Sequence, residues 1–300
     1  MTRYRPGTPA DSRLAFDIFE TTIDDLSRRT ATTMSATAGD PAAWDKRRPL
    51  FDHLAATGDQ WWFAEDEMSG EALGYARSIV RDGVRELTEF FVLPTAQAAG
   101  VGRELIARAF PDDTRHRAIV ATTDARAIAR YLKAGLSGRA AMIGFEAAPR
   151  PVSLPTDLER QPIPAASPQL DALGEIDRAL LGFRRDEDHR WLASQRRGWL
   201  YARAGEPVAY GYHPSMPMWG GPYASLDPAD LPVLLADGET AAASAGHAIV
   251  TFDLALTARH GIEHLLKRGF RVDPFVMLFF TDGPVDGLDR YVLTSPPFFA

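Results

Sequence analysis

The sequence contains no cysteine and few lysines, and its apolar residues fall into short runs. The lack of cysteine excludes disulfides, thiolate zinc sites, iron–sulfur clusters and a cysteine nucleophile. Only three lysines stand among the 33 basic residues, a bias typical of GC-rich bacterial genomes. No apolar run approaches the roughly 18 residues of a membrane span, and residues 1–9 lack an apolar signal-peptide core. These absences predict a cytoplasmic protein with no membrane partner.

The charge balance is acidic, with 40 acidic residues and a net charge of −7 at pH 7. A general nucleic-acid binder is more often basic, so no nucleic-acid partner is expected. The apolar fraction, 45%, and the charged fraction, 24%, are ordinary for a globular protein. At about 150 residues per domain, the chain of 300 residues favours two domains.

Proline marks the expected boundary between these domains. Six prolines occur within residues 148–168. Proline has no backbone N–H and pushes the preceding residue into extended geometry, so this stretch is predicted to be a linker. The predicted organisation is a domain over 1–147, a linker over 148–168 and a second domain over 169–300.

The two halves share short blocks that recur in order at offsets of about 130 to 138 residues. These paired blocks are 61–75 with 198–212, 118–123 with 248–253, and 128–136 with 262–270. Apolar spacing in the first half predicts helices over 11–30, 41–56, 100–110 and 124–134. It predicts strands over 60–66, 72–80, 85–93, 117–123 and 138–147. The expected fold is therefore a duplicated α+β domain, each copy a mixed, mostly antiparallel sheet flanked by helices.

A small-residue loop joins a predicted strand to a predicted helix and reads Gln-Ala-Ala-Gly-Val-Gly over 97–102. Glycine lets the backbone approach a ligand closely, and the unpaired N–H groups of a helix start favour an anion. No Gly-Lys-Ser/Thr follows, which excludes a P-loop, and the third glycine of the dinucleotide fingerprint is missing. The loop is either a phosphate cradle made of main chain or simply a turn that caps a helix.

The pattern Val92-x-Pro94-x-x-Gln97-x-x-Gly100-x-Gly102 resembles the acyl-CoA signature of the GNAT acetyltransferase superfamily. That signature is Arg/Gln-x-x-Gly-x-Gly/Ala after a strand. The resemblance covers roughly residues 1–147. It identifies the first half as a GNAT domain and implies a GNAT-like fold for the repeated half.

A second block resembles the next strand–helix unit of the same superfamily, Asn-x-x-Ala-x-x-x-Tyr-x-x-x-Gly-Phe. Here Ala127, Tyr131 and Gly135 match without a gap. Asp124 stands in place of the asparagine and Leu136 in place of the phenylalanine, which puts one polar contact to the CoA arm in doubt.

The resemblance implies acetyl-CoA as cosubstrate and a set of residues that bind it. These residues are Phe91, Val92, Gln97, Ala98, Ala99, Gly100, Val101, Gly102, Arg103, Asp124 and Ala127. It also implies that Tyr131 protonates the leaving thiolate and that Glu89, just upstream of the valine, receives the proton of the amine. Glu86 is the other carboxylate on this strand; in regular pairing the odd separation from Glu89 would place the two on opposite faces.

The second half lacks this machinery. No Gln-x-x-Gly-x-Gly follows Gly221, and Leu265 occupies the position of the tyrosine. The chain therefore resembles tandem GNAT proteins with one intact and one degenerate domain. No metal is expected, because His260-x-x-Glu263-His264 contains a glycine in its helix and aligns with the helix of Tyr131.

The resemblance implies an acyl-CoA-dependent N-acyltransferase, with acetyl the expected group and a small amine the expected acceptor. Transfer would be direct within a ternary complex. Two alternatives stay open: a non-catalytic acyl-CoA-binding or sensing module, and an acetyltransferase that modifies proteins. The sequence also leaves a homodimer open.

Overall fold

The computed structural model describes residues 1–30, 40–97, 100–216 and 220–294. The chain divides into two compact units, Met1–Ile119 and Val120–Ala300. The predicted binding residues Ala98 and Ala99 lie outside the described residues.

The first unit is a sheet with helices inserted between its strands. Its elements are β1 (Thr2–Pro6), α1 (Ser12–Thr30), α2 (Ala43–Thr57), β2 (Gly58–Asp66), β3 (Ala72–Arg81), β4 (Val84–Val92), α3 (Val101–Ala109) and the start of β5 (His116–Thr122). The strand order is β1-β2-β3-β4-β5. Among the strand pairs of this unit that the described residues form, β4–β5 is parallel, and β1–β2, β2–β3 and β3–β4 are antiparallel.

Helices α1 and α2 form because their apolar residues recur at helical spacing and face the sheet. Phe16, Phe19 and Phe51 are among the buried residues of these two helices. The Phe19 ring meets the Phe91 ring edge-on at 5.2 Å between centroids, which ties α1 to the end of β4. This contact fixes the strand from which the candidate site is built.

The second unit is an eight-stranded sheet with the order β12-β6-β11-β13-β10-β9-β8-β7, and its recorded strand pairs are antiparallel. Its elements are α4 (Ala125–Lys133), β6 (Ser137–Ala147), β7 (Glu159–Ile163), α5 (Leu170–Leu181), α6 (Asp186–Gln195), β8 (Gly198–Arg203), β9 (Glu206–Tyr212), β10 (Tyr223–Ser225), α7 (Leu231–Ser244), β11 (Val250–Ala255), α8 (Arg259–Arg268), β12 (Arg271–Thr281) and β13 (Tyr291–Val292). An apolar core that includes Leu235, Phe252 and Leu265 joins α7 and α8 to this sheet.

The boundary between the two compact units falls after Ile119, earlier in the chain than the predicted domain boundary at 147. The cause is β6, which pairs with β11 on one side and β12 on the other and so belongs to the second unit. The predicted linker also contains β7, which pairs with β8. The assignment of domains over 1–147 and 169–300 stays a prediction.

The mixed α+β fold is confirmed, and each helix and strand predicted in the first half is present within a few residues. The repeat is visible where α4 leads into β6 and α8 leads into β12. Both helices end at a glycine in the left-handed region, Gly135 at φ 89° and Gly269 at φ 85°. Such a residue caps the last helical carbonyls, so the two glycines perform the same task in both copies.

Candidate functional site

A short 3-10 turn, Pro94–Ala96, follows β4, and α3 begins at Val101 directly after Gly100. Gly100 precedes the helix with φ 82°, a left-handed conformation that glycine adopts without strain. A Cβ at this position would have no atom within 4 Å, so the space beside Gly100 is open. Its carbonyl accepts the N–H of Arg103 at 3.0 Å, which closes the first turn. Val101 and Leu105 are buried and hold the helix against the sheet.

Helix α3 presents a positive end to that open space. The first N–H groups of a helix have no carbonyl within the helix to bond, and the helix dipole adds to their partial charge. The side chain of Arg103 is 76% exposed, and its guanidinium lies 3.1 Å from the Glu104 carboxylate. The Gln97 side-chain amide donates to the Val92 carbonyl at 3.1 Å and anchors the loop to the strand end. This end of α3 can therefore accept a phosphate oxygen on main-chain N–H groups.

A β-bulge at Thr88 changes the alternation along β4. Arg77 of β3 lies opposite Glu89, whereas Ile79 lies opposite Glu86. Arg77 and Ile79 are two residues apart and share a face, and cross-strand partners also share a face. Glu86 and Glu89 therefore point to the same face. The expectation for regular pairing, that they point to opposite faces, is wrong because the bulge inserts one residue.

The Glu89 carboxylate is buried and already has two partners. It forms an ion pair with the Arg77 guanidinium and accepts a hydrogen bond from the Tyr75 hydroxyl at 2.7 Å. Arg77 also stacks on the Trp61 ring, 4.3 Å from its centroid. Burial and the Glu89 charge hold the pKa of Tyr75 well above its usual value, so this hydroxyl stays a donor.

We expect Glu89→Gln to lower the free energy of unfolding by about 3 kcal/mol, because it leaves the buried Arg77 charge uncompensated. Urea denaturation measures this loss. Asp52→Asn is the control; it breaks the exposed Arg48–Asp52 pair, worth less than about 1 kcal/mol. An unchanged free energy of unfolding in Glu89→Gln would contradict this stabilising role of the buried Arg77–Glu89 pair.

The pair of β4 and β5 is short. The parallel ladder joins Val84–Glu86 to residues 116–118, and within the described chain it goes no further along β4. In the recorded ladders, Phe91 and Val92 at the far end of β4 therefore pair with β3 and not with β5. This leaves the end of β4 accessible from the side of β5, next to the loop that leads into α3.

The remaining predicted residues lie on α4, in the second unit. Asp124 caps this helix by accepting the N–H of Arg126 at 2.9 Å, and it also pairs with the Arg126 guanidinium. Asp124, Ala127 and Tyr131 stand three and four residues apart and so share one face of the helix. Tyr131 is buried, and its ring lies 5.8 Å from that of Phe280. Burial, with a contribution from Asp124, raises the pKa of the Tyr131 hydroxyl well above its usual value.

The structure thus brings Glu89, Phe91, Val92, Gln97 and Gly100 together on one continuous strand–loop–helix unit. Val101, Gly102 and Arg103 complete it in the first turn of α3. Sequence reasoning missed Arg77 and Tyr75 as the partners of Glu89. Tyr75 and Arg77 lie two residues apart on β3 and so share one face of the sheet. The sequence did not show that Glu89 meets them, because the bulge in β4 decides which residue lies opposite Arg77.

The corresponding helix of the second unit, α7, begins differently. Asp227 and Asp230 stand just before it, and Asp230 pairs with Arg203 at 2.7 Å. Negative side chains beside a helix start disfavour the binding of a phosphate there. Leu265, at the position of the tyrosine, is buried in the apolar core. These features agree with a second half that has lost the cofactor site.

The strand–loop–helix unit lies in a mixed α+β fold. Residues 23–136 match the family model described as the acetyltransferase (GNAT) family. This segment belongs to the GNAT family, and the chain as a whole has the fold of tandem GNAT proteins. No curated protein matches the sequence.

Three solved structures are similar over nearly the whole chain. A protein of Pyrococcus horikoshii, provisionally assigned as an acetyltransferase, has 14% identity and a TM-score of 0.69, with 97% of this chain and 92% of that chain covered. A GCN5-related N-acetyltransferase from Sphaerobacter thermophilus has 16% identity and a TM-score of 0.60, with 96% and 97% covered. A tandem GNAT protein from the clavulanic acid biosynthesis pathway has 13% identity and a TM-score of 0.54, with 95% and 100% covered.

No helix in the described part of the chain is both long and apolar enough to cross a membrane.

Proposed function

We propose that the protein transfers an acetyl group from acetyl-CoA to a small amine, directly and within a ternary complex. The observation that carries this proposal is the start of α3, where Gly100 leaves open space beside the first-turn N–H groups. The pyrophosphate of CoA would bind there, with the main-chain N–H groups of Val101 and Gly102 and the exposed side chain of Arg103 as donors. A few hydrogen bonds to a charged acceptor, each worth about 1.5–3 kcal/mol, are enough for micromolar binding.

The amine must lose a proton before it attacks the thioester. An alkyl amine with a pKa of about 10.4 carries a handicap of about 4.6 kcal/mol at pH 7. Glu89 is the proposed acceptor of this proton, directly or through water. The Glu89 carboxylate has to separate from the Arg77 guanidinium before it can take up the proton of the amine.

Attack on the thioester creates an oxyanion, which a main-chain N–H near Val92 would stabilise. The departing thiolate then needs a hydrogen-bond donor, and we assign this role to Tyr131. Its raised pKa keeps the hydroxyl protonated throughout the physiological range. An acyl-enzyme on cysteine is excluded because the chain has none.

Turnover tests the proposal against its two alternatives. Release of free CoA thiol is measured with acetyl-CoA and a panel of small primary amines, with mass spectrometry of the acetylated product. Amine-dependent release supports the proposal. Acetyl-CoA binding without turnover would support a sensing module, and acetylation of added proteins but of no small amine would support a protein-modifying enzyme.

A further inference from the structure

A pocket of about 150 Å³ lies in the second unit, between helix α7, strands β7 and β8 and the segment that precedes β7. Helix α7 contributes Val233, Ala236 and Asp237, which are three and four residues apart and so share one face of the helix. Arg160 of β7 lies opposite Tyr201 of β8, and both side chains line the pocket. The pocket therefore belongs to the half of the chain that lacks the acyl-CoA signature.

The segment 151–158 forms one wall of the pocket and is anchored to α7 at its start. The Val152 N–H donates to Thr240 Oγ1 at 2.9 Å, and the Thr240 hydroxyl donates to the Val152 carbonyl at 2.7 Å. Two prolines of this segment have a fixed φ, which stiffens its backbone. Leu154 and Leu158 line the pocket from this wall. The anchored segment therefore gives the pocket an apolar side that is held in place.

The polar side of the pocket is a group of three side chains that meet at one carboxylate oxygen. Asp237 Oδ2 accepts a hydrogen bond from the Arg160 guanidinium at 2.8 Å and another from the Tyr201 hydroxyl at 2.9 Å. Burial and the Asp237 charge raise the pKa of Tyr201 well above its usual value, so its hydroxyl stays a donor. Within the described chain, the other oxygen of Asp237, Oδ1, has no recorded hydrogen bond. An open acceptor therefore stands beside a guanidinium that uses one of its five N–H groups on Asp237.

The charge and the size of the pocket restrict the ligand that fits it. The charges of Arg160 and Asp237 compensate each other, so a charged ligand has to compete with this ion pair. A neutral amide group leaves the pair intact, because its N–H can donate to Asp237 Oδ1 while its carbonyl accepts an N–H of Arg160. A cavity of roughly 150 Å³ with apolar walls holds one benzene-sized ring. The pocket therefore matches a single ring that carries an amide.

We propose that this pocket binds a small neutral ring compound with an amide group, the ring lying against Leu158 and Val233. The amide N–H donates to Asp237 Oδ1, and the amide carbonyl accepts a hydrogen bond from Arg160. Apolar walls with a few placed polar groups are the usual composition of small-molecule sites. The second unit thus has a ligand site of its own, and this site does not depend on acetyl transfer by the first.

Titration calorimetry of the full chain with benzamide tests the site, and circular dichroism checks that each variant is folded. We expect the unmodified protein to bind benzamide with a millimolar or lower Kd. Asp237→Ala should weaken binding by about tenfold or more, because it removes a hydrogen bond to a charged acceptor. Val233→Phe should abolish binding, because the added ring fills the pocket. Glu263→Ala, which breaks the exposed Arg259–Glu263 pair of α8, is the control and should bind benzamide normally.

Two further probes test the chemical class of the ligand. Toluene has the ring without the amide, and benzoate replaces the amide with a charged carboxylate. We expect each to bind at least about tenfold more weakly than benzamide, because each lacks the N–H that Asp237 accepts. Absence of benzamide binding by the folded, unmodified protein would overturn the proposal, and so would equal affinity for the three probes. Benzamide binding that Asp237→Ala and Val233→Phe leave unchanged would occur elsewhere and would also refute this site.

Discussion

Gly100→Glu is expected to reduce acetyl-CoA affinity by more than 100-fold while the protein stays folded. The new carboxylate enters the open space in which the pyrophosphate would lie. Loss of two charge-assisted hydrogen bonds at about 1.5–3 kcal/mol each corresponds to roughly two to four orders of magnitude in Kd. Repulsion between the carboxylate and the phosphates adds to this loss. Titration calorimetry measures the affinity.

Gly205→Glu is the matched control for this experiment. Gly205 also has a positive φ, 87°, and a Cβ there would likewise meet no atom within 4 Å. It lies in the turn between β8 and β9 of the second unit, so the control places the same side chain on a similar left-handed backbone outside the strand–loop–helix unit. We expect Gly205→Glu to bind acetyl-CoA normally. Equal affinity losses in the two variants would contradict the assignment of the phosphate site to α3.

Tyr131→Phe is expected to lower kcat by about 100-fold or more, since donation of a proton by a positioned side chain contributes factors of this size. The acetyl-CoA Kd should stay within a few-fold, because the hydroxyl acts on the thiolate formed during the reaction. Rates at saturating acetyl-CoA, together with calorimetry, separate the two effects. Because the pKa of Tyr131 is raised, its ionisation should not limit kcat below about pH 10.

Tyr223→Phe controls for the loss of a buried tyrosine hydroxyl. Tyr223 is fully buried in the second unit, and its hydroxyl has no hydrogen-bond partner. We expect this variant to keep the kcat of the unmodified protein. An unchanged kcat in Tyr131→Phe would refute the role of Tyr131 as donor, and the thiolate would then be protonated by water or by the acceptor.

Local signals in the sequence were enough to predict the unit that carries the candidate site. The apolar run of β4, the proline after it and the glycine at 100 each act within a few residues, and the structure has the strand, the turn and the helix in that order. The helix α4 and its glycine end follow from equally local patterns. These features depend on backbone conformation and helical periodicity, which short stretches of sequence determine.

Features that depend on distant residues were not predicted. The bulge at Thr88 sets which side chain Glu89 meets, and it arises from pairing with β3. The division of the chain after Ile119 follows from the insertion of β6 between β11 and β12, residues more than 100 positions away. Strand pairing of this kind leaves no mark within either strand alone.

Hydrogen exchange at the start of α3 tests the central claim most directly. Backbone N–H groups of Val101 and Gly102 are monitored by mass spectrometry with and without acetyl-CoA. The account predicts that acetyl-CoA slows exchange at these positions, because the phosphate oxygens accept their hydrogen bonds. Unchanged exchange there, with protection at another part of the chain or with no acetyl-CoA binding at all, would contradict it.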